Sequence, residues 1–210
     1  MPNHVRNIIK MEGITSLPLF KKGEEAEGLF DFNTVTPMPE SLNIESGTRG
    51  EKGLRKYKSF LEETRGLSGS AVKEAELRNA QEVGEGVWNL GKQYYENLQK
   101  YGFATWYEWA WHNWGTKWNA YDGHTKGTDT VVFLTAWNDP TPVIKQLAAM
   151  YPDSVIEHWY ADEFAGHNAG YRKYEDGQWI EFIPTDEKQS KKLYRKCWDD
   201  VDCDVLPEED

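Results

Sequence analysis

The chain has 210 residues, 39% hydrophobic and 28% charged, with a formal net charge of −11. That length suits one enlarged domain, or one domain carrying an insertion, better than two independent ones, and the apolar share excludes wholesale disorder. The negative charge argues against general nucleic-acid binding through the phosphate backbone, which needs clustered Lys and Arg.

The acid is concentrated at one end. Residues 199–210 hold Asp199, Asp200, Asp202, Asp204, Glu208, Glu209 and Asp210 with no Lys or Arg, which leaves about −4 for the other 198 residues. The first residues lack the apolar core of a secretory signal, and no run approaches the length of a membrane span. Two cysteines, Cys197 and Cys203, do not make a disulfide scaffold or a redox pair, so unpaired thiols in a reducing cytosol are expected.

Taken in chain order, residues 4–11 (HVRNIIKM) predict a strand, and 29–35 (LFDFNTV) a second that Pro37 and Pro39 stop. Residues 43–70 carry Gly47, Gly50, Gly53, Gly66 and Gly69 among many charges. They read as a glycine-rich surface insertion and a mobile loop, with a short helix over 54–63. Over 70–101 the period is helical. Ala80, Val83, Val87, Leu90, Tyr94, Leu98 and Tyr101 share a face, Gly84 and Gly86 predict a break, and Gly102 a stop. Another helix follows over 105–114, with Gly115 at its left-handed cap.

Residues 130–137 (TVVFLTAW) form the strongest strand signal, suited to a sheet centre. A helix over 142–150 opens with Thr141 as cap and Pro142 as first helical residue. A strand over 155–160 follows. Residues 170–174 and 178–183 then read as a hairpin around Asp176-Gly177, and 188–196 as a short charged helix before the tail. The order predicts an α/β chain of the α+β kind: a mainly antiparallel sheet with helices packed on one face. The domain would span 1–183, with the insertion at 43–70, and 184–210 would form the helix and acidic tail.

Several segments occur in a telling order: Met1-Pro2-Asn3 before the first strand, Phe32 to Pro39 (FNTVTPMP), Trp114-Gly115-Thr116-Lys117-Trp118-Asn119-Ala120, Thr135-Ala136-Trp137 with Pro140 and Pro142, and Tyr151-Pro152. Together they resemble the YubB-type ferredoxin-like domain family of bacteriophages and conjugative plasmids, an Api-like phage protein family, over residues 1–183. The resemblance implies a ferredoxin-like topology without an iron–sulfur cluster, and a bacterial host cytosol. It implies no assigned activity and carries no catalytic residues. A shared fold would not supply a function in any case.

The residues themselves suggest two kinds of site. Trp106, Trp109, Trp111, Trp114 and Trp118 are unusually dense. The Tyr107-Trp111-Trp114 stripe suits a core, while Trp106 and Trp109 fall off it. The helix exit that follows can instead form a ligand-binding wall. Trp114 and Trp118 would stack on a flat ligand, Lys117 meet an anion, and Asn119 and Asp122 read donors and acceptors. Trp137 would close the sheet end, the glycine-rich insertion form a roof, and Arg49 or Arg55 assist in recruiting an anion. The bland alternative has both rings in the core and Lys117 solvated.

Glu163 and His167 form the one acid–base pair close to glycines, and so the candidate catalytic pair if the chain is an enzyme. His112, His124, His158 and His167 with Asp122, Asp162 and Glu163 lack metal-ligand spacing, so neither a metal nor another cofactor is expected. The expected role is a non-catalytic binding protein of a mobile element. It would act against host defence by holding a small aromatic or nucleotide-like ligand or a host protein, with no membrane partner. The alternatives are a nucleotide-type hydrolase using Glu163 and His167, or an acidic DNA mimic acting through the tail.

Overall fold

The computed structural model describes residues 3–21 and 29–200. In chain order the main elements are β1 (His4–Lys10), α1 (Phe32–Val35), α2 (Thr48–Glu63), α3 (Ser70–Val83), α4 (Glu85–Tyr101) and α5 (Trp106–Asn113). Then follow β2 (Tyr121–Lys126), β3 (Thr130–Ala136), α6 (Thr141–Met150), β4 (Ile156–Asp162), β5 (Ala169–Glu175), β6 (Gln178–Phe182) and α7 (Glu187–Trp198). The chain folds as two compact units, Met1–Pro37 with Ala110–Asp210, and Met38–Trp109. The acidic tail beyond Asp200 lies outside the described residues.

The first unit is built on a six-stranded sheet in the order β2-β3-β1-β4-β5-β6, antiparallel throughout. The α+β, antiparallel expectation is met. The β-branched run of β3 lies against β1, which is itself central, and Val5, Ile9, Val131 and Phe133 are all buried. The hairpin between β5 and β6 turns on Asp176 and Gly177, both at positive φ (51° and 76°), the geometry a two-residue hairpin turn requires.

Register divides the sheet into two faces. Val5, Asn7 and Ile9 share one face with Phe133, Thr135, His158, Tyr160 and Arg172; Ile8 shares the other with Val132, Trp159, Ala161 and Tyr171. The second face is covered by α7, through Leu193 and Cys197. The first meets α1, whose Phe32 ring packs on Phe133 at 5.8 Å. Helices therefore lie on both faces, not on one. The charged α7 hides its apolar residues at a spacing of four, so it covers a face despite its low hydrophobic content.

Two local expectations are also corrected. Residues 29–35 are not a strand. Phe30 makes an isolated bridge with Phe20, and Asp31 then caps α1 by accepting from the Asn33 N–H. Thr141 is not the cap of α6, whose cap position is Pro140. The Thr141 hydroxyl donates to Asp139 Oδ1 at 2.6 Å instead.

The second unit is helical, and residues 43–70 hold a full helix, α2, which begins at Thr48 and not at 54. Its glycines serve packing. A Cβ at Gly53 would lie 2.2 Å from the Val87 carbonyl oxygen, and one at Gly91 would strike the Gly53 backbone, so α2 and α4 cross with their backbones in contact. This crossing also rotates α4 from its expected face. Trp88, Gly91, Tyr94 and Asn97 are the buried stripe, while Val87, Leu90 and Leu98 are only partly covered. Phe60, Ala75 and Trp88 form the core, and the break between α3 and α4 falls at Gly84, as its position in the helical run predicted.

Candidate functional site

Antiparallel pairing brings the start of β1, the ends of β3 and β4 and the start of β5 to one end of the sheet. There the His4 N–H donates to Glu163 Oε1 (3.1 Å), and the Glu163 N–H returns to the His4 carbonyl (2.8 Å). His4 Nδ1 sits 2.7 Å from the Tyr121 hydroxyl, and the Tyr121 ring lies edge-on to Trp118. Burial pushes the Tyr121 hydroxyl up to about 12, helped by the Glu163 and Asp122 carboxylates, so it stays a neutral donor.

Backbone strain gathers at the same end. Asp122, Trp137 and Asn168 adopt φ of 47°, 74° and 37°. A left-handed tryptophan is a true outlier, because its Cβ crowds the backbone. Trp137 is held there from both sides: its N–H donates to the Asn3 carbonyl at 3.0 Å, and its carbonyl accepts from Asn168 Nδ2 at 3.0 Å. The result keeps a large indole 42% exposed.

The candidate residues separate accordingly. Trp118 (39% exposed) and Trp137 lie at this end, and Phe164, which composition did not single out, joins them at 59%. Lys117 Nζ lies 4.7 Å over the Trp118 ring. Asp122 is exposed, at the irregularity where β2 shifts register. Trp114 is only 4% exposed, its indole N–H bonded to the Thr36 carbonyl and its ring against Phe32. Asn119 faces inward to α1, accepting from the Phe32 N–H (2.9 Å) and donating to Asp31 (2.6 Å). Glu163 is engaged by the β1 backbone, and His167 is exposed with its N–H on the Phe164 carbonyl. Residues 43–70, expected as a roof, belong to the other unit.

Beneath this end lies a polar network that sequence reading missed. Arg172, nearly buried, donates through Nη1 to Asp139 and through Nε to Glu181, both at 2.6 Å, and through Nη2 to the Tyr160 hydroxyl at 3.3 Å. Gly170, opposite Tyr160 in register, leaves room for the phenol; a Cβ there would lie 2.4 Å from its oxygen. His158, fully buried, stacks on Tyr160 and bonds through Nε2 to Asn7 Oδ1 at 3.0 Å. The Asn7 amide nitrogen donates to Val5 O and Thr135 Oγ1, so its oxygen faces the ring and His158 carries its proton on Nε2. Nδ1 is then the acceptor, 3.5 Å from Arg172. Burial, with the Arg172 charge beside it, drives the His158 pKa well below the usual imidazole value. Burial opposes the charge on Arg172 too, but Asp139, Tyr160 and Glu181 outweigh it and hold the guanidinium charged. In the sequence, His158 stands out only as a polar residue within the strand expected over 155–160.

The family comparison matches residues 113–200, a stretch that holds β2 to α7 and the whole Trp-Gly-Thr-Lys-Trp-Asn segment, to the model described as "Ferredoxin-like domain in Api92-like protein". Residues 113–200 are thus similar to that domain family. The match is shorter than residues 1–183 and does not include β1, although β1 is central to the sheet. Among solved structures, the chain is similar to the crystal structure of a protein api92 from Yersinia pseudotuberculosis, at 11% identity and a TM-score of 0.40, covering 89% of this chain and 100% of that one. No curated protein matches. Among the described residues, no helix is long and apolar enough to cross a membrane.

Proposed function

We propose that this chain is a non-catalytic binding protein of a mobile element, and that its contact surface is the aromatic end of the sheet. The observation that carries the reading is Trp137. A bulky residue is kept in a strained left-handed backbone by partners on both sides while its indole stays 42% exposed. Strain of this kind costs about 1–3 kcal/mol and persists where the surroundings over-determine it, commonly at functional sites. Trp118 with Lys117 above its ring, and Phe164 beyond, extend an aromatic surface with one cation. That chemistry suits a flat, anionic, nucleotide-like ligand held by stacking, and the resemblance to a phage and plasmid family supports a role against host defence.

Trp137→Gly separates binding from folding. Glycine relieves the left-handed strain, so unfolding stability is expected to change by less than about 1 kcal/mol. Binding of purine and pyrimidine nucleotides, followed by Trp fluorescence and calorimetry, is expected to weaken at least tenfold, with a smaller loss in Lys117→Ala. A broad nucleotide panel that leaves wild-type fluorescence unchanged would retire the ligand. A second reading, a host protein docked on the same surface, is favoured by Phe164 at 59% exposure. It predicts that Phe164→Ala weakens partner capture when nucleotides do not bind. The hydrolase alternative requires turnover that is lost in Glu163→Gln and His167→Ala with binding retained.

A further inference from the structure

We infer that β6 is a dimerisation edge, at which two copies of this chain join their sheets by antiparallel β6–β6 pairing. Among the described strands β6 has one neighbour, β5, and its other side is the edge of the sheet. Residues Gln178 to Glu181 are all exposed, and Ile180 is 54% exposed, with Trp179 and Ile183 also open. Natural edges are ordinarily blunted by lysine, proline, a bulge or a covering element. Gln178–Phe182 has neither lysine nor proline, and its pairing with β5 is regular. Its one charge, Glu181, is already bonded to Arg172 of its own sheet.

Register decides how the edge can be used. The two-residue turn makes Glu175–Gln178 a hydrogen-bonded pair, so bonding to β5 alternates and falls on Gln178, Ile180 and Phe182. The N–H and C=O groups of Trp179 and Glu181 therefore point outward. Those two residues pair with each other across a twofold axis at Ile180. Trp179 of one copy exchanges both backbone bonds with Glu181 of the other, and the reverse pair repeats them. Ile180 then faces Ile180 as the close, non-hydrogen-bonded pair. A register one step toward the tail would set Glu181 against Glu181, like charges opposed. One step toward the turn would set Trp179 on the axis and leave Glu181 outside the pairing. The axis at Ile180 uses both outward residues, opposes no like charges and buries the exposed isoleucine. A second copy fits this edge because the strand is its own complement, an isologous contact that closes at two.

The test is a concentration series of the full chain by sedimentation equilibrium. The expected result is a rise from monomer to twice that mass, favoured by added salt, which screens repulsion between two chains of net charge −11. Hydrogen exchange should slow with concentration at the Trp179 and Glu181 amides and not at Ile180, which β5 already protects. Ile180→Lys is expected to weaken the dimer at least tenfold, with an unchanged melting temperature at concentrations low enough for the chain to be monomeric, because the side chain is exposed there. On a Cys203→Ser background, Ile180→Cys is expected to cross-link under mild oxidation. A monomer at every concentration overturns the proposal. So does a dimer indifferent to Ile180→Lys that fails to cross-link through Ile180→Cys.

Discussion

The two faces of the sheet solve burial differently. Under α7, Ile8, Val132, Trp159, Tyr171 and Leu193 meet as an apolar cluster. On the opposite face Asn7, Thr135, His158 and Arg172 are all buried and bonded to one another or to Asp139, Tyr160 and Glu181. Apolar packing tolerates rearrangement, since area and volume decide most of its energy. A buried polar network does not, because each donor has one acceptor in one place and a lost partner leaves a desolvated group behind. The polar face also lies below the strained sheet end. Thr135 Oγ1 donates to the Asn138 carbonyl, directly after Trp137, and Arg172 holds Asp139. One face supplies bulk stability. The other fixes the chain on which the exposed indole stands.

The largest expected effects compare the faces directly. Arg172→Met removes the cation from a nearly buried pair and strands Asp139, whose side chain is 12% exposed. A loss of about 3–5 kcal/mol is expected in guanidinium unfolding. Leu193→Ala on the other face should cost about 2–5 kcal/mol through a cavity. The difference is in repair. Replacing Asp139 and Arg172 together by apolar residues should recover much of the first loss, because no charge is then left unpaired. A double variant no more stable than Arg172→Met would show that the pair is not an isolated unit.

A smaller effect tests the charge state of the polar face. His158 is neutral when folded, with its pKa held well below the ordinary value of about 6.5 that the unfolded chain regains. Below about pH 6.5 the unfolded chain takes up a proton that the folded chain refuses. Stability therefore falls with falling pH, by at most about 1.4 kcal/mol per pH unit, until the folded pKa is reached; above pH 6.5 this group contributes no slope. In His158→Gln that part of the slope should vanish, although stability at pH 7 also drops. Unfolding curves at a series of pH values measure both. An unchanged slope would mean that the ring is charged in the folded protein.

These faces were unequally legible in sequence. The strand at 130–137, the hairpin on Asp176-Gly177 and the helix break at Gly84 are local events, set by β-branching, by positive φ and by glycine, and they were readable. The 29–35 segment was misread because its fate is decided 88 residues away, where Asn119 bonds Asp31 and holds the α1 cap. Strand β2 was missed because Tyr121–Lys126 is a polar edge strand without apolar alternation. The polar network left almost no trace. Arg172 finds Asp139 across 33 residues, and His158 finds Asn7 across 151, so neither spacing nor period reports the pairing. Of the candidate residues, Trp118 and Trp137 are exposed. The inward turn of Trp114 and Asn119 depends on α1, which sequence had assigned to a strand.

The smallest effect isolates the link between network and surface. Thr135→Val keeps the side-chain volume and β-branching and deletes one hydroxyl. Two bonds go: the one it accepts from Asn7 at 2.9 Å and the one it donates to the Asn138 carbonyl at 2.7 Å. Asn7 keeps its bond to the Val5 carbonyl, and the Asn138 carbonyl is only partly buried, so neither group pays the full penalty of an orphan. About 1–2 kcal/mol of stability should be lost. The informative readout is local. Asn138 follows Trp137, so without this anchor the strained turn should relax, seen as faster hydrogen exchange of the Trp137 amide and a shifted fluorescence maximum. If stability falls while Trp137 exchange and emission stay unchanged, then Asn3 and Asn168 alone hold the indole, and the polar face serves the fold without shaping the surface above it.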